Sequence, residues 1–220
     1  MKTVFPSRRL MVTALAGLSL TGCLLRTATV SPRHFVLTPI PTEELNTASN
    51  RNLSVEIGFV KMPAYLLRDS VAVRAGPNEI EYLQNALWAE RLDQCLERTL
   101  TVNLCRLRSS NRMDLANLPR DQAAVKVLIN IEQFDVDIRG QGVLIARWRI
   151  ISSDSNKLLN VGNTRLVRTA AAPRGKPEVI ATTLSELTAQ LSRDIAQSVD
   201  RKSTRLNSSH RLTSRMPSSA

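Results

Sequence analysis

The chain has 220 residues, 43% of them hydrophobic, and a formal charge of +11. Its length allows one domain with a real core. The charge alone would suggest a nucleic-acid or anionic-lipid binder, but its distribution excludes that argument. Lys2, Arg8 and Arg9 precede Cys23, and Arg201, Lys202, Arg205, Arg211 and Arg215 outweigh Asp200 beyond Val199, which leaves +4 on residues 23–199.

Residues 1–22 read as a secretory signal: a basic start (Lys2, Arg8, Arg9), an apolar run from Leu10 to Leu18, then small residues before a cut site. The run is too short to cross a membrane, which takes roughly 20 apolar residues. Leu20-Thr21-Gly22-Cys23 resembles, at all four positions, the lipobox of bacterial lipoproteins. That resemblance implies cleavage before Cys23, a diacylglycerol on its thiol, and acylation of the new amino group by a fatty acid such as palmitate. Two or more acyl chains hold a protein stably at a membrane where one holds it only marginally. Ser7-Arg8-Arg9-Leu10-Met11 is also similar, more weakly, to a twin-arginine export motif. Residues 23–32 form a lipidated tether. Leu24, rather than Asp, follows the cysteine, which by resemblance to enterobacterial sorting implies the periplasmic face of the outer membrane.

Arg33 to Pro39 predicts a short first strand, closed by Pro39 and Pro41. Thr42 to Arg51 is polar and loop-like. Leu53, Val55, Ile57 and Phe59 alternate with Ser54, Glu56 and Gly58, the pattern of a strand with one face on a core. Pro63 breaks that strand within Met62–Arg68, Ser70 to Ala75 resumes, and Gly76-Pro77-Asn78-Glu79 turns the chain into a hairpin partner at Ile80–Leu83. A long helix is predicted over Leu87–Arg108, with Leu92, Leu96, Leu100, Leu104 and Leu107 facing the core. Ser109 to Gln122 is a polar connection.

Val125, Val127, Ile129 and Ile131 alternate inward, and the apolar parity then shifts to Phe134, Val136 and Ile138, as a bulge at Glu132-Gln133 would require. Gly140-Gln141-Gly142 turns into a strand at Val143–Ser152 with Leu144, Ala146, Trp148 and Ile150 on one face and Arg147 and Arg149 on the other. Ser153–Asn156 turns again, and Lys157–Ala171 completes a three-stranded meander. Pro177 suits a helix start, and Ile180, Leu184, Leu187, Leu191, Ile195 and Val199 trace the stripe of a closing helix. The expected fold is α/β: a mixed sheet of about five to six strands packed by two long helices, one domain over residues 33–199. Val55, Val127, Trp148, Leu184 and Leu191 are expected in its core.

The last stretch looks foreign. Asp200 to His210 is what a common short-read sequencing adapter encodes in one frame. Ser214 to Ala220 matches its continuation past a variable index that would supply Arg211, Leu212 and Thr213. Residues 200–220 are therefore expected to be non-native.

No catalytic constellation is legible. His34 is the one histidine outside the tail, and it lies in an aromatic-aliphatic run that predicts a partly packed strand residue. No CxxC, HExxH or glycine-rich phosphate loop occurs. Cys95 and Cys105, ten residues apart on one helix, are separated by roughly 15 Å, too far for a disulfide, which needs Cα atoms within about 7 Å. Two buried free thiols are expected, and with no histidine nearby they make no zinc site. Glu90, Asp93 and Glu97 near Arg91 and Arg98 predict i,i+4 pairs on a solvated face. The sequence argues against an enzyme, with no cofactor beyond covalent lipid on Cys23 and no metal. Tyr65 and Leu66, in the irregular segment after Pro63, are candidate partner-binding residues; the bland alternative is that Tyr65 packs the loop onto the helix with Trp88.

The order of parts resembles a known family. The lipobox, a strand ending Val36-Leu37-Thr38-Pro39, the run Val55 to Leu66 containing Met62-Pro63-Ala64-Tyr65-Leu66, then Val73-Arg74, Asn78-Glu79-Ile80 and Trp88-Ala89-Glu90-Arg91-Leu92-Asp93-Gln94 are similar to the ABC-type transport auxiliary lipoprotein family, typified by paraquat-inducible protein C. Val143 to Trp148 is similar too. Arg91 stands where the family usually has Pro, and Cys95-Leu96 where Asn-Phe is common. The resemblance implies a small periplasmic α/β domain, without catalysis, that partners a mammalian-cell-entry (MCE) protein of an ABC lipid transporter and docks its tunnel at the outer membrane, as a homo-oligomeric ring. A stand-alone structural envelope lipoprotein and a lipid-binding carrier with its own pocket are the alternatives.

Overall fold

The computed structural model describes residues 31–42, 55–108, 125–170 and 176–213, with side chains of the last helix described to Arg201. The described fold lies within the unit Pro32–Ala220, with its first strand at the start. Its elements are β1 (Arg33–Phe35), β2 (Val55–Lys61), β3 (Ser70–Gly76), β4 (Glu79–Trp88), α1 (Leu92–Arg108), β5 (Val125–Asp137), β6 (Gln141–Ser152), β7 (Leu158–Thr169) and α2 (Pro177–Thr213). The sheet has seven strands in the order β1-β4-β3-β5-β6-β7, with β2 also on β5. The count exceeds five to six because the short β1 and the detached β2 both join this one sheet.

Strand β5 is the spine. Strand β2 runs parallel to its first half, from Val55 opposite Val125 to Lys61 opposite Asn130. Strand β3 runs parallel to its end, with Val73 opposite Val136. The chain therefore leaves β5 at Lys61 and returns at Val73, and the excursion between holds a 3-10 turn at Ala64–Leu67. On the other side β6 and β7 follow antiparallel, the expected meander.

The register shifts between Ile131 and Gln133, so Phe134 and Val136 enter the core after the bulge, as the parity change predicts. Ile138 does not; the strand ends at Asp137 and Ile138 lies exposed in the turn. A second bulge, at Gly58, corrects the sequence reading of β2. The extra residue reverses the side-chain parity, which puts Phe59 on the outer face, 46% exposed, while Val60 packs inward. A Cβ at residue 58 would meet the Leu128 side chain at 2.7 Å.

The predicted helix start at Leu87 is also corrected. Strand β4 continues through Trp88, whose backbone pairs with Phe35 of β1 and donates to the Asp69 carbonyl at 2.7 Å. Helix α1 begins at Leu92 and buries Leu92, Leu96, Leu100 and Leu104. Helix α2 buries Ile180, Leu184, Leu187, Leu191, Ile195 and Val199 against the same face of the sheet, beside Val127, Phe134, Leu144 and Trp148. Each buried leucine contributes roughly 1.5–3 kcal/mol, so these stripes outweigh the weak intrinsic stability of either helix. Val55 packs on this core from its edge and is only partly buried.

After β1 the chain is laid along both helices as a strap, and side chains satisfy its backbone. The Leu37 N–H donates to the Cys95 thiol (3.2 Å), the Ile40 N–H to Asn103 Oδ1 (2.8 Å) and the Thr38 N–H to the Ser185 hydroxyl (3.0 Å). Arg106 donates to the Ile40 carbonyl. Asn103 also donates to Ser192 at 3.0 Å and so ties α1 to α2. Leu37 and Ile40 are consequently buried. Helix α2 runs without a break across the Val199/Asp200 boundary, and the Arg108 guanidinium donates to Asp200.

Candidate functional site

The excursion Met62–Asp69 is fixed by one buried carboxylate. Asp135 lies between Phe134 and Val136, so the pleat of β5 turns it to the face opposite the helices. There it is 2% exposed. Its Oδ2 accepts from the Tyr65 hydroxyl (2.7 Å) and Arg74 Nη2 (2.6 Å), and its Oδ1 accepts from Arg74 Nε (3.0 Å) and Gln133 Nε2 (2.9 Å). Both oxygens are thus doubly occupied. The Tyr82 hydroxyl donates to the Tyr65 carbonyl at 3.1 Å, and the Arg68 guanidinium covers the Tyr82 ring at 4.7 Å.

The excursion, β3, β4 and β5 each supply a part. Pro63 sets the start of the 3-10 turn and Leu66 closes it with an N–H to the Pro63 carbonyl at 3.0 Å. The alternation of the turn sends Leu66 inward and Tyr65 outward. Leu66 is 3% exposed, which corrects its sequence reading as a partner-binding side chain: it fills the core and presents nothing to a partner. Tyr65 is half-buried, tied to Asp135 rather than to Trp88.

The electrostatics favour a brace over a reactive centre. Burial first, then the hydrogen bond and negative charge of Asp135, hold the Tyr65 phenol far above its ordinary range. The Asp135 hydrogen bond raises Arg74. A phenol held neutral and a carboxylate with four donors leave neither a nucleophile nor a free base. Filled polar networks specify one arrangement of the groups they join.

The remaining candidate residues are dispersed. Cys23 and the rest of the lipobox, Leu20, Thr21 and Gly22, lie outside the described residues. His34 is exposed on β1, not partly packed, because β1 is a three-residue strand at the sheet margin. Cys95 and Cys105 share α1 and are free; Cys95 is buried and Cys105 half-buried. Burial raises both thiols above their usual value. The expected i,i+4 pairs are replaced by Arg91 with Asp93 at 2.7 Å and Arg98 with Glu90 at 2.5 Å. Glu90 precedes the helix, so Arg98 reaches back to it and lowers its carboxyl. Among the described residues no group of three His, Cys, Asp or Glu is placed to hold a metal, and no helix is long and apolar enough to cross a membrane.

Two concavities lie on the surface of the described residues. A groove of about 650 Å³ runs beside the strap, β7 and α2, lined by residues including Ile40, Leu166, Arg168, Ser185 and Arg193. A depression of about 280 Å³ lies on the outer sheet face among Phe59, Leu128, Asn130, Arg147, Arg149 and Val161. The strap contacts Thr99, Asn103 and Ser185 were missed in the sequence, although polar residues beside a leucine stripe, Thr99 and Asn103 at four-residue spacing among them, were the available signal.

The model of the ABC-type transport auxiliary lipoprotein component matches residues 35–196. The chain belongs to the ABC-type transport auxiliary lipoprotein family. It is 25% identical over 137 residues to the intermembrane transport lipoprotein PqiC of Escherichia coli K12, covering 61% of this chain and 70% of that protein. The PqiC of Shigella flexneri matches equally. The fold is shared with a crystal structure of a Xanthomonas campestris protein (TM-score 0.61, 11% identity, 80% of this chain and 99% of that one). A second, uncharacterized crystal structure gives TM-score 0.59 and 22% identity over 77% of this chain and 99% of that one. The family match spans the strap, the Tyr65–Asp135 brace, α1 and α2 as far as Ala196, so the braced excursion belongs to the family domain.

Proposed function

We propose that this protein is a non-catalytic docking subunit, lipid-anchored through Cys23, of an ABC transporter that works with an MCE protein. In this reading it holds the far end of a lipid-conducting tunnel at the periplasmic face of the outer membrane. The observation that supports it most is the family match over residues 35–196, in a chain whose Leu20–Cys23 resembles a lipobox and whose Asp135 carboxylate is saturated by four donors. The outward ring of Tyr65 is the candidate partner contact, held in one position by Asp135 and Arg74. Residues 1–22 are the signal, 23–32 the tether, 33–199 the domain, and 200–220 translated adapter; resequencing the locus tests the last boundary.

Genes for an ABC permease, an ATPase and an MCE protein beside this one are expected. Deleting this gene and deleting the MCE gene should then produce the same envelope defect, with no further defect in the double deletion. Additive defects would contradict a shared pathway.

A further inference from the structure

We infer that the open half of the outer sheet face, formed by β2, β5, β6 and β7, lies on a bilayer surface that carries anionic phospholipid headgroups. The inference rests on the reading of Cys23 as a lipid anchor, because that anchor is what brings the face to a membrane. Three observations carry it: an uncovered apolar surface, an excess of basic side chains on it, and a tether long enough to lay it flat.

Both helices pack on one face of the sheet, and the excursion Met62–Asp69 crosses the other over β3 and β4. Beyond the excursion no element lies on the outer face among the described residues. Phe59, Leu158, Val161 and Val167 project there, four of the six large apolar side chains that the described residues expose, so exposed apolar surface is gathered on this face rather than scattered. One cross-strand row runs Phe59, Leu128, Arg149, Val161, and the next runs Lys61, Asn130, Arg147, Asn163. The depression of about 280 Å³ opens between these rows, with Phe59, Leu128 and Val161 beside Arg147 and Arg149. Apolar groups suit the boundary of headgroups and acyl chains, and guanidinium groups suit phosphates.

The charge of this face is one-sided. Glu56 pairs with Lys126 at 3.6 Å and Glu132 with Arg147 at 2.6 Å, and Asp137 and Arg139 balance at its margin. Lys61, Arg149 and Arg165 are exposed and have no acid within ion-pair distance among the described residues. The small net charge of residues 23–199 therefore hides a local excess. These groups are spread over β2, β6 and β7 instead of lining one groove, which suits a plane of headgroups better than a single acidic strand. Each basic group near an anionic leaflet adds attraction, and salt screens it.

Cys23 and Arg33 are ten residues apart in the chain, a span of at most about 35 Å. Strand β7 is five strand spacings from β1, roughly 24 Å, so an anchored chain can bring the whole face to the bilayer. Confinement within that distance makes a weak surface attraction sufficient. Without the anchor the same attraction is too weak at physiological salt, and Cys23→Ser still leaves the membrane.

The test has two arms. In the first, full-length Cys23→Ser is sedimented at low ionic strength with vesicles of phosphatidylcholine alone, or of equal parts phosphatidylcholine and phosphatidylglycerol. Binding should require phosphatidylglycerol, fall about tenfold or more in Arg149→Glu/Arg165→Glu, and persist in Arg149→Lys/Arg165→Lys. Equal binding to neutral vesicles, or binding unchanged by the charge reversal, would overturn the inference. In the second arm the acylated full chain, with Cys105→Ser and a fluorophore on Val161→Cys, is reconstituted in the mixed vesicles with a lipid-borne quencher. That probe should be quenched, while one on Glu97→Cys, exposed on α1, should not; equal quenching at the two sites would overturn the inference. In Cys23→Ser without vesicles the Val161 probe should be open to iodide, and shielding there would assign the face to protein contact instead. The first arm needs no acyl chain, so a protein found unacylated at Cys23 refutes the anchor while that arm still decides the face.

Discussion

Replacing Asp135 with asparagine keeps the shape of the side chain and one carbonyl acceptor but removes the charge that Arg74 and Tyr65 share. The native carboxylate accepts four hydrogen bonds, two of them from Arg74. In the variant the NH2 group faces an Arg74 N–H in either orientation, Nε at the Oδ1 position or Nη2 at the Oδ2 position, donor against donor. Breaking a fully buried pair costs about 3–5 kcal/mol. The Asp135 side chain is 1% exposed but that of Arg74 is 25% exposed, so water recovers part of the loss, and about 2–4 kcal/mol is expected. Tyr65→Phe removes one hydroxyl and leaves Asp135 three donors, which should cost about 1 kcal/mol. On the Asp135→Asn background Tyr65→Phe should cost less than half of that, because the two groups are coupled. Urea unfolding followed by tryptophan fluorescence gives all three values, and hydrogen exchange at 64–67 should quicken in Asp135→Asn. A change below about 0.5 kcal/mol for Asp135→Asn, or a larger cost for Tyr65→Phe than for Asp135→Asn, would refute the brace.

Other outcomes follow from the packing. A Cβ at residue 162 would sit 1.9 Å from the Trp148 ring, so Gly162→Ala should destabilise by about 1–3 kcal/mol and perturb the tryptophan emission; an unchanged midpoint would contradict that contact. Native Cys95, buried and with a raised thiol, should resist alkylation while half-buried Cys105 reacts slowly, and both should react fully in denaturant. Because the folded thiols ionise later than unfolded ones, their contribution to stability is complete below the usual thiol value of 9.0 and falls as pH rises past it. Cys95→Ser should lessen that alkaline loss; a steeper loss would reverse the assigned sign. Cys23→Ser should release a folded protein into the periplasm, and retention at the membrane would assign attachment to the domain itself.

The regular parts of this fold were legible because their apolar periods are long and undisturbed. Leu92–Leu104 and Ile180–Val199 at helical spacing, and Leu144–Ile150 in alternation, occupy the core as the sequence predicts. The bulge before Phe134 could be read because apolar residues stand on both sides of the parity change. The bulge at Gly58 could not, since Phe59 is apolar and only the tertiary register against Leu128 turns it outward. Trp88 was assigned to a helix because its local pattern continues into Leu92, and long-range pairing with Phe35 decided otherwise. The brace was half legible. Tyr65 stood out after Pro63, but its partner lies 70 residues away, and a lone Asp between Phe134 and Val136 carries no local sign of burial. Leu66 and Tyr65 looked alike in an irregular segment; only the turn separates the residue that fills the core from the one that faces out.

The central claim is the docking role, and its most direct measurement is purification of the tagged, full-length protein in detergent from its own cell envelope, with the retained proteins identified by mass. The account predicts an MCE-domain protein held in stoichiometric amount, retained by Cys23→Ser and weakened when Tyr65 is replaced by alanine. Recovery of the lipoprotein with no MCE-domain protein, under conditions that keep the transporter intact, would contradict it.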